Sequence, residues 1–220
     1  MKQNLLVARA LPVKPDKFAE DAVMAPASEA ESGLIQADLL AAMNRKEQAA
    51  AAWDKLSKLY PGSPEIAESM GYAAWQSGDT EAARKYFEQA LPGTKDALMC
   101  YQLALLYHDA GQGGDKVLAT LARAVALKPD YVEARLQLGL ADYNRKNYPA
   151  AIAALAPIDR MAPDYVPEHA ATLYGALANS YAQTGDYAEA KKYLATSRQW
   201  NKTDADKKRA DELAQYLDGR

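Results

Sequence analysis

Histidine and cysteine, the side chains most used for metal ligation and nucleophilic catalysis, are scarce in this 220-residue sequence. There are two histidines, His108 and His169, and a single cysteine, Cys100. The sequence contains no H-E-x-x-H, paired-cysteine, G-x-x-x-x-G-K-[ST] or G-x-S-x-G motif. The run Gly111-Gln112-Gly113-Gly114 has the composition of a phosphate-cradling loop, but no predicted strand leads into it. It reads instead as a turn between helices. Cys100 falls where one helix faces another, so its thiol acts as a small buried hydrophobe rather than a nucleophile. His169 reads as a residue of a surface connection. No catalytic residue, metal site or cofactor is expected, and the chain is read as non-enzymatic.

Bulk composition narrows the function classes further. The net charge is −3 with an isoelectric point near 5.5. A nucleic-acid binder needs a basic stripe to displace counterions, so nucleic acid is not an expected partner. No apolar run approaches the roughly 18 residues that cross a bilayer. The stretch Met1 to Ala8 is too short for a secretory signal and is followed at once by Arg9. One cysteine precludes an intrachain disulfide and fits a reducing compartment without fixing one. The compartment stays open at this stage.

What would position any binding residue is a pattern recurring at about 34 residues. Its clearest column is Ala49-x3-Trp53, Ala83-x3-Phe87, Val117-x3-Leu121, Ala151-x3-Leu155 and Ala190-x3-Leu194. Ahead of that column stand small residues, Gly71, Ala104, Gly139 and Ala178, which let paired helices approach closely. Gly78 and Gly185 permit a left-handed backbone at a helix end, and Asp79 and Asp186 follow as caps. Pro129 and Pro163 are expected to end the second helix of their units. The units are residues 30–63, 64–96, 97–131, 132–165 and 171–202. An insertion at 166–170 separates the last two, and the third is one residue long at its glycine-rich turn.

After these units, Ala210, Leu213, Ala214 and Leu217 form one apolar stripe within residues 204–220. Lys207, Lys208, Arg209, Asp211 and Glu212 face elsewhere. A helix with one greasy and one wet face is what closes a stack. Residues 1–29 fit no unit. Pro12, Pro15 and Pro26 prevent a long helix there, so this part reads as an extended arm on the first unit or as a linker from something upstream.

The shared register over residues 30–203 resembles the tetratricopeptide repeat family. The departures are the absence of the pattern's Trp from its place in the first helix of each unit, and Asp142 where an aromatic is the rule, with Tyr143 beside it as a substitute. The resemblance implies an all-α fold, a right-handed superhelical solenoid of stacked antiparallel helix pairs with a C-terminal capping helix.

The resemblance also implies that first helices line a concave groove. The inward positions are then Glu31, Leu34 and Asp38 in the first unit, and Glu65, Glu68, Tyr72, Trp75 and Gln76 in the second. The third contributes Leu98, Tyr101, Leu105, His108 and Asp109. The fourth contributes Glu133, Leu136, Leu140, Tyr143 and Asn144, and the fifth Thr172, Asn179 and Gln183. This set holds several acids and no lysine or arginine. Tyr72, Trp75, Tyr101 and Tyr143 lie off the packing columns, and exposed groove aromatics are common binding anchors.

The expected function is therefore a non-catalytic interaction module. Its partner would be a basic or apolar/aromatic segment of another protein, or the rest of its own chain. Some relatives in the family grip a C-terminal carboxylate with groove lysines and asparagines. Only Asn179 could contribute here, which argues against that mode. An alternative is the C-terminal repeat region of a larger bacterial protein with an upstream, peptidase-like enzymatic domain. The polar outer face of the terminal helix favours a monomer over a self-associating scaffold.

Overall fold

In the computed structural model the residues described are 28–161, 166–200 and 203–220. The arm expected over residues 1–29 lies outside them, apart from Ser28 and Glu29. These two already belong to the first helix, whose capping box joins the Ser28 hydroxyl to the Glu31 amide and the Glu31 carboxylate to the Ser28 amide.

All regular structure among the described residues is helical. The chain divides into two compact units, one ending at Thr94 and the other running from Lys95 to Arg220. In the first unit α1 (Glu29–Ala42) pairs with α2 (Lys46–Leu59), and α3 (Pro64–Ser77) with α4 (Thr80–Ala90). The second unit opens with the pair α5 (Ala97–Asp109) and α6 (Gly114–Leu127), followed by α7 (Val132–Asn144) and α8 (Tyr148–Leu155). The short α9 (Ile158–Met161) leads to α10 (Val166–Thr184), which pairs with α11 (Tyr187–Trp200). The last helix, α12 (Asp204–Asp218), packs on α10 and α11.

The repeating column forms the seam of each pair. Ala49, Ala83, Phe87, Ala151, Leu155 and Ala190 are fully buried, and Trp53, Leu121 and Leu194 nearly so. Val117 alone in that column is only half-buried. The small residues opposite are small for a measurable reason. A Cβ on Gly71 would sit 2.4 Å from Cδ1 of Phe87, and one on Gly139 would sit 2.4 Å from Cγ of Leu155. The glycine on one helix is the socket for the large side chain on its partner.

The corners follow the expected chemistry in some repeats and depart from it in others. Gly78 adopts φ 84°, and the Asp79 carboxylate then accepts the Ala82 amide at 3.0 Å to start α4. Asp186 does the same for Glu189 at 3.2 Å. At the equivalent corners of the first and fourth repeats the left-handed residue is Asn44 (φ 59°) and Lys146 (φ 61°). At the fourth corner the Asn147 amide group donates to the buried Asp142 carboxylate at 3.1 Å. Asp142 thus occupies the expected aromatic position as a hydrogen-bonded corner piece, and the half-buried Tyr143 beside it packs against the core.

Two expectations need correcting. Residues 166–170, the insertion between the fourth and fifth units, are helical rather than a surface loop and form the opening of α10, a helix of 19 residues. Pro167 is tolerated there because the first turn has no intrahelical partner for its missing N–H. Ala170, fully buried, joins the core of the second unit. His169 is therefore a half-buried helical residue rather than part of a surface loop. Nor does Pro163 end the second helix of the fourth repeat. That helix stops at Leu155, two residues before Pro157, and Pro163 lies outside the described residues.

Candidate interaction surface

The inward positions fall into two groups, one in each compact unit. In the first unit they come from α1 and α3. Glu65 is exposed and accepts the Ser63 hydroxyl at 2.7 Å. Asp38 accepts from Ser69 at 3.2 Å, tying α1 to α3. Glu68 is not a surface acid: it is buried, and the buried Thr94 hydroxyl donates to its carboxylate. Burying that charge requires such a partner, so Glu68 serves to hold α3 to the turn after α4. Tyr72 packs edge-on against Phe87 with ring centroids 5.1 Å apart, and so belongs partly to the core of its own repeat. Trp75 is half-buried and Gln76 exposed at the C-terminal end of α3.

In the second unit a ring of α5 meets a ring at the N-terminus of α7. Tyr101 and Tyr131 stand 5.2 Å apart, centroid to centroid, at 52°. Burial raises the pKa of both phenols, and the Glu133 carboxylate raises each further. Tyr131 also feels Tyr101 and the carboxylate of Asp96, which caps α5 by accepting the Leu98 amide at 2.8 Å. The cluster is thus two phenols, with the carboxylates of Asp96 and Glu133 close enough to penalise any further negative charge. A cation already takes advantage of it: Lys128 Nζ lies 5.3 Å from the Tyr131 ring centroid.

Neighbouring inward positions differ in exposure. His108 and Asp109 are both exposed, with His108 Nδ1 3.3 Å from Asp109 Oδ1. Leu98, Leu105 and Leu140 are half-buried, while Glu133 and Asn144 are exposed. Leu136 is not available to a partner, because it is buried in the core shared with Leu155 and Leu173. Tyr143 packs edge-on against Tyr148 at 6.2 Å. Its pKa is raised by burial and by Tyr148, and pulled back by Arg209 of α12. The inward register contains no cation, yet α12 brings one close to this surface. Arg209 also pairs with Asp206 at 2.6 Å.

On α10, Thr172 and Gln183 are exposed and Asn179 is half-buried. The α10–α11 seam carries further rings, with Tyr181 stacked on Tyr193 at 5.5 Å and 4°. Tyr174 stacks on Tyr193 at 6.0 Å and donates its hydroxyl to Asp159 at 2.5 Å. The stacked rings lie within the fifth repeat, and the Tyr174–Asp159 hydrogen bond ties that repeat to the segment before it.

Tyr131 is the member of the ring pair that the sequence does not reveal. It sits in the Pro-Asp-Tyr stop that closes a repeat, and reads there as punctuation. Its signal is positional: the stop of one repeat delivers a side chain to the start of the next first helix, two residues before Glu133. Cys100 is fully buried, as its place in the register indicates. Among the described residues no group of three or more His, Cys, Asp or Glu is placed to hold a metal ion, and no helix is long and apolar enough to cross a membrane.

Similarity to known proteins agrees with this architecture. No curated protein sequence matches the chain. Among solved structures, YrrB, described as a tetratricopeptide repeat protein with an unusual peptide-binding site, is similar at 22% identity and a TM-score of 0.61. That match covers 90% of this chain and 98% of YrrB. MamA is similar at 21% identity and a TM-score of 0.52, over 74% of this chain and 92% of its own. Sequence models of the tetratricopeptide repeat match residues 35–97, 101–166 and 171–203. With most of its length matched and its helices paired in that register, the chain belongs to the tetratricopeptide repeat family.

Proposed function

We propose that this protein is a non-catalytic protein-interaction scaffold that holds a lysine- or arginine-bearing peptide on the α5–α7 surface of its second unit. The observation that carries the reading is the Tyr101–Tyr131 ring pair beside the exposed Glu133. Two π-faces with a carboxylate next to them form a cation-receiving site, and Lys128 over Tyr131 is an internal example of the contact. The half-buried Leu105 and Leu140 offer apolar contact to flanking residues of such a peptide. Pre-formed helices would keep the ordering cost on the protein side small. Peptide binding by YrrB is compatible with this use of the fold.

Selection of a displayed random-peptide library against the full chain tests the reading. Enriched peptides should carry Lys or Arg beside apolar residues. Their affinity should fall about tenfold, the order expected for one lost charged contact, in Glu133→Gln and Tyr101→Ala, and should weaken with added salt. Selected peptides that are acidic, or that bind both variants as tightly as the parent, would remove the proposal.

A further inference from the structure

The Tyr131 ring already has an occupant, and the backbone puts it there. Lys128 Nζ stands 5.3 Å from the ring centroid. Lys128 closes α6, its amide donating to Ala124 O at 2.9 Å. The Tyr131 amide then donates to Lys128 O at 3.0 Å and completes the turn Lys128-Pro129-Asp130-Tyr131. From α7, Arg135 Nε donates to Pro129 O and clamps the same turn. The first and fourth residues of the turn, Lys128 and Tyr131, are thereby set side by side. The turn itself does not call for a lysine, since Pro-Asp-Tyr recurs at residues 163–165 after Ala162. Lys128 is exposed while Tyr101 and Tyr131 are half-buried, so its ammonium reaches in from solvent and returns there at little cost.

We propose that Lys128 is a displaceable plug in the Tyr101–Tyr131–Glu133 site: the cation of an incoming peptide takes its place on the Tyr131 ring, and the charge on Lys128 sets how tightly the site binds. This role rests on the peptide-binding reading above and adds its control. It follows from one restriction. A ring face receives one cation, and a second brought alongside is repelled, the more so between half-buried rings than in open water. The guest must therefore evict Lys128 before it gains the contact. An exposed contact of this kind is worth only about two- to fivefold in affinity, so the plug raises a threshold without closing the site. Removing the ammonium charge of Lys128 lowers that threshold and leaves the rings and Glu133 in place.

The test titrates the full chain with a defined probe, acetyl-Leu-Arg-Leu-amide, and with its neutral counterpart carrying citrulline in place of arginine. Affinity is read from the ring resonances of Tyr101 and Tyr131. The arginine peptide should bind Lys128→Gln about two- to fivefold more tightly than the parent, and Lys128→Arg no more tightly than the parent. The citrulline peptide should not distinguish the three proteins. The ratio between Lys128→Gln and parent should persist in about 1 M salt, where the screening length is only about 3 Å. Equal affinity of parent and Lys128→Gln for the arginine peptide overturns the plug and leaves the peptide-binding reading standing. A gain that vanishes at high salt reduces Lys128 to a repulsive charge nearby and overturns the plug as well. If neither protein binds the arginine peptide, the cation-receiving site itself is removed and the plug falls with it.

Discussion

A single methyl group is enough to probe the seams. Gly139→Ala would place Cβ 2.4 Å from Leu155 Cγ and 3.2 Å from Ala154 Cβ, with Leu155 itself fully buried and unable to retreat. Urea unfolding should show a loss of about 1–3 kcal/mol, the usual cost of overpacking. Gly175 gives the opposite result. Its nearest foreign atom is Ser197 Oγ at 3.7 Å, ordinary contact distance, and it lies inside α10. Gly175→Ala should therefore raise stability by about 0.4–1 kcal/mol through a less flexible unfolded chain. A loss at Gly175, or no loss at Gly139, would contradict the packing described. The same contrast marks what a register reveals. It identified Gly71 and Gly139 as sockets because their column repeats. It misassigned Glu68 and Leu136 as groove residues, because whether an inward position meets solvent depends on a contact such as Thr94 or Leu173. No spacing encodes such contacts.

At the scale of elements, the ends of helices carry most of the local logic. The Thr203 hydroxyl accepts the Asp206 amide at 3.1 Å, and the Asp206 carboxylate takes the Thr203 hydroxyl at 2.6 Å and Arg209 at 2.6 Å. Thr203→Ala should cost about 1 kcal/mol and first free the amides of the opening turn of α12 to exchange. The Thr203 and Arg209 contacts hold the Asp206 pKa below its ordinary value. A depressed carboxylate stabilises the fold above its unfolded pKa, and that contribution fades as pH falls through the folded value. The melting temperature of the parent should thus drop more steeply below about pH 4 than that of Asp206→Asn. Parallel curves would show that the box contributes nothing. The start of α10 shows where element reading falls short. Val166-Pro167 looks like a break, yet a proline in a first turn costs no hydrogen bond, and the burial of Ala170 decides for helix.

At the scale of the molecule, the tyrosines act together. The pKa values of Tyr101, Tyr131, Tyr143, Tyr174, Tyr181 and Tyr193 are all raised, burial being the first cause in each. A phenol whose folded pKa exceeds its unfolded value of about 10 stabilises the fold below that pH, and the contribution is lost as pH rises through the folded value. Alkaline titration in the near ultraviolet should show a late-ionising set of tyrosines, and urea should unfold the protein more easily above about pH 10. A single ordinary titration step for every tyrosine would contradict this. The family and its helix pairs were legible because one register recurs. The ring pair was not, because Tyr131 and Tyr101 are 30 positions apart and meet only through folding.

The fully buried Cys100 gives the molecule a clock. As the sole cysteine, it makes every reaction with a thiol reagent a timed record of α5 leaving its place. The dependence of that rate on urea separates brief local excursions from whole-chain unfolding, with no label added to the protein.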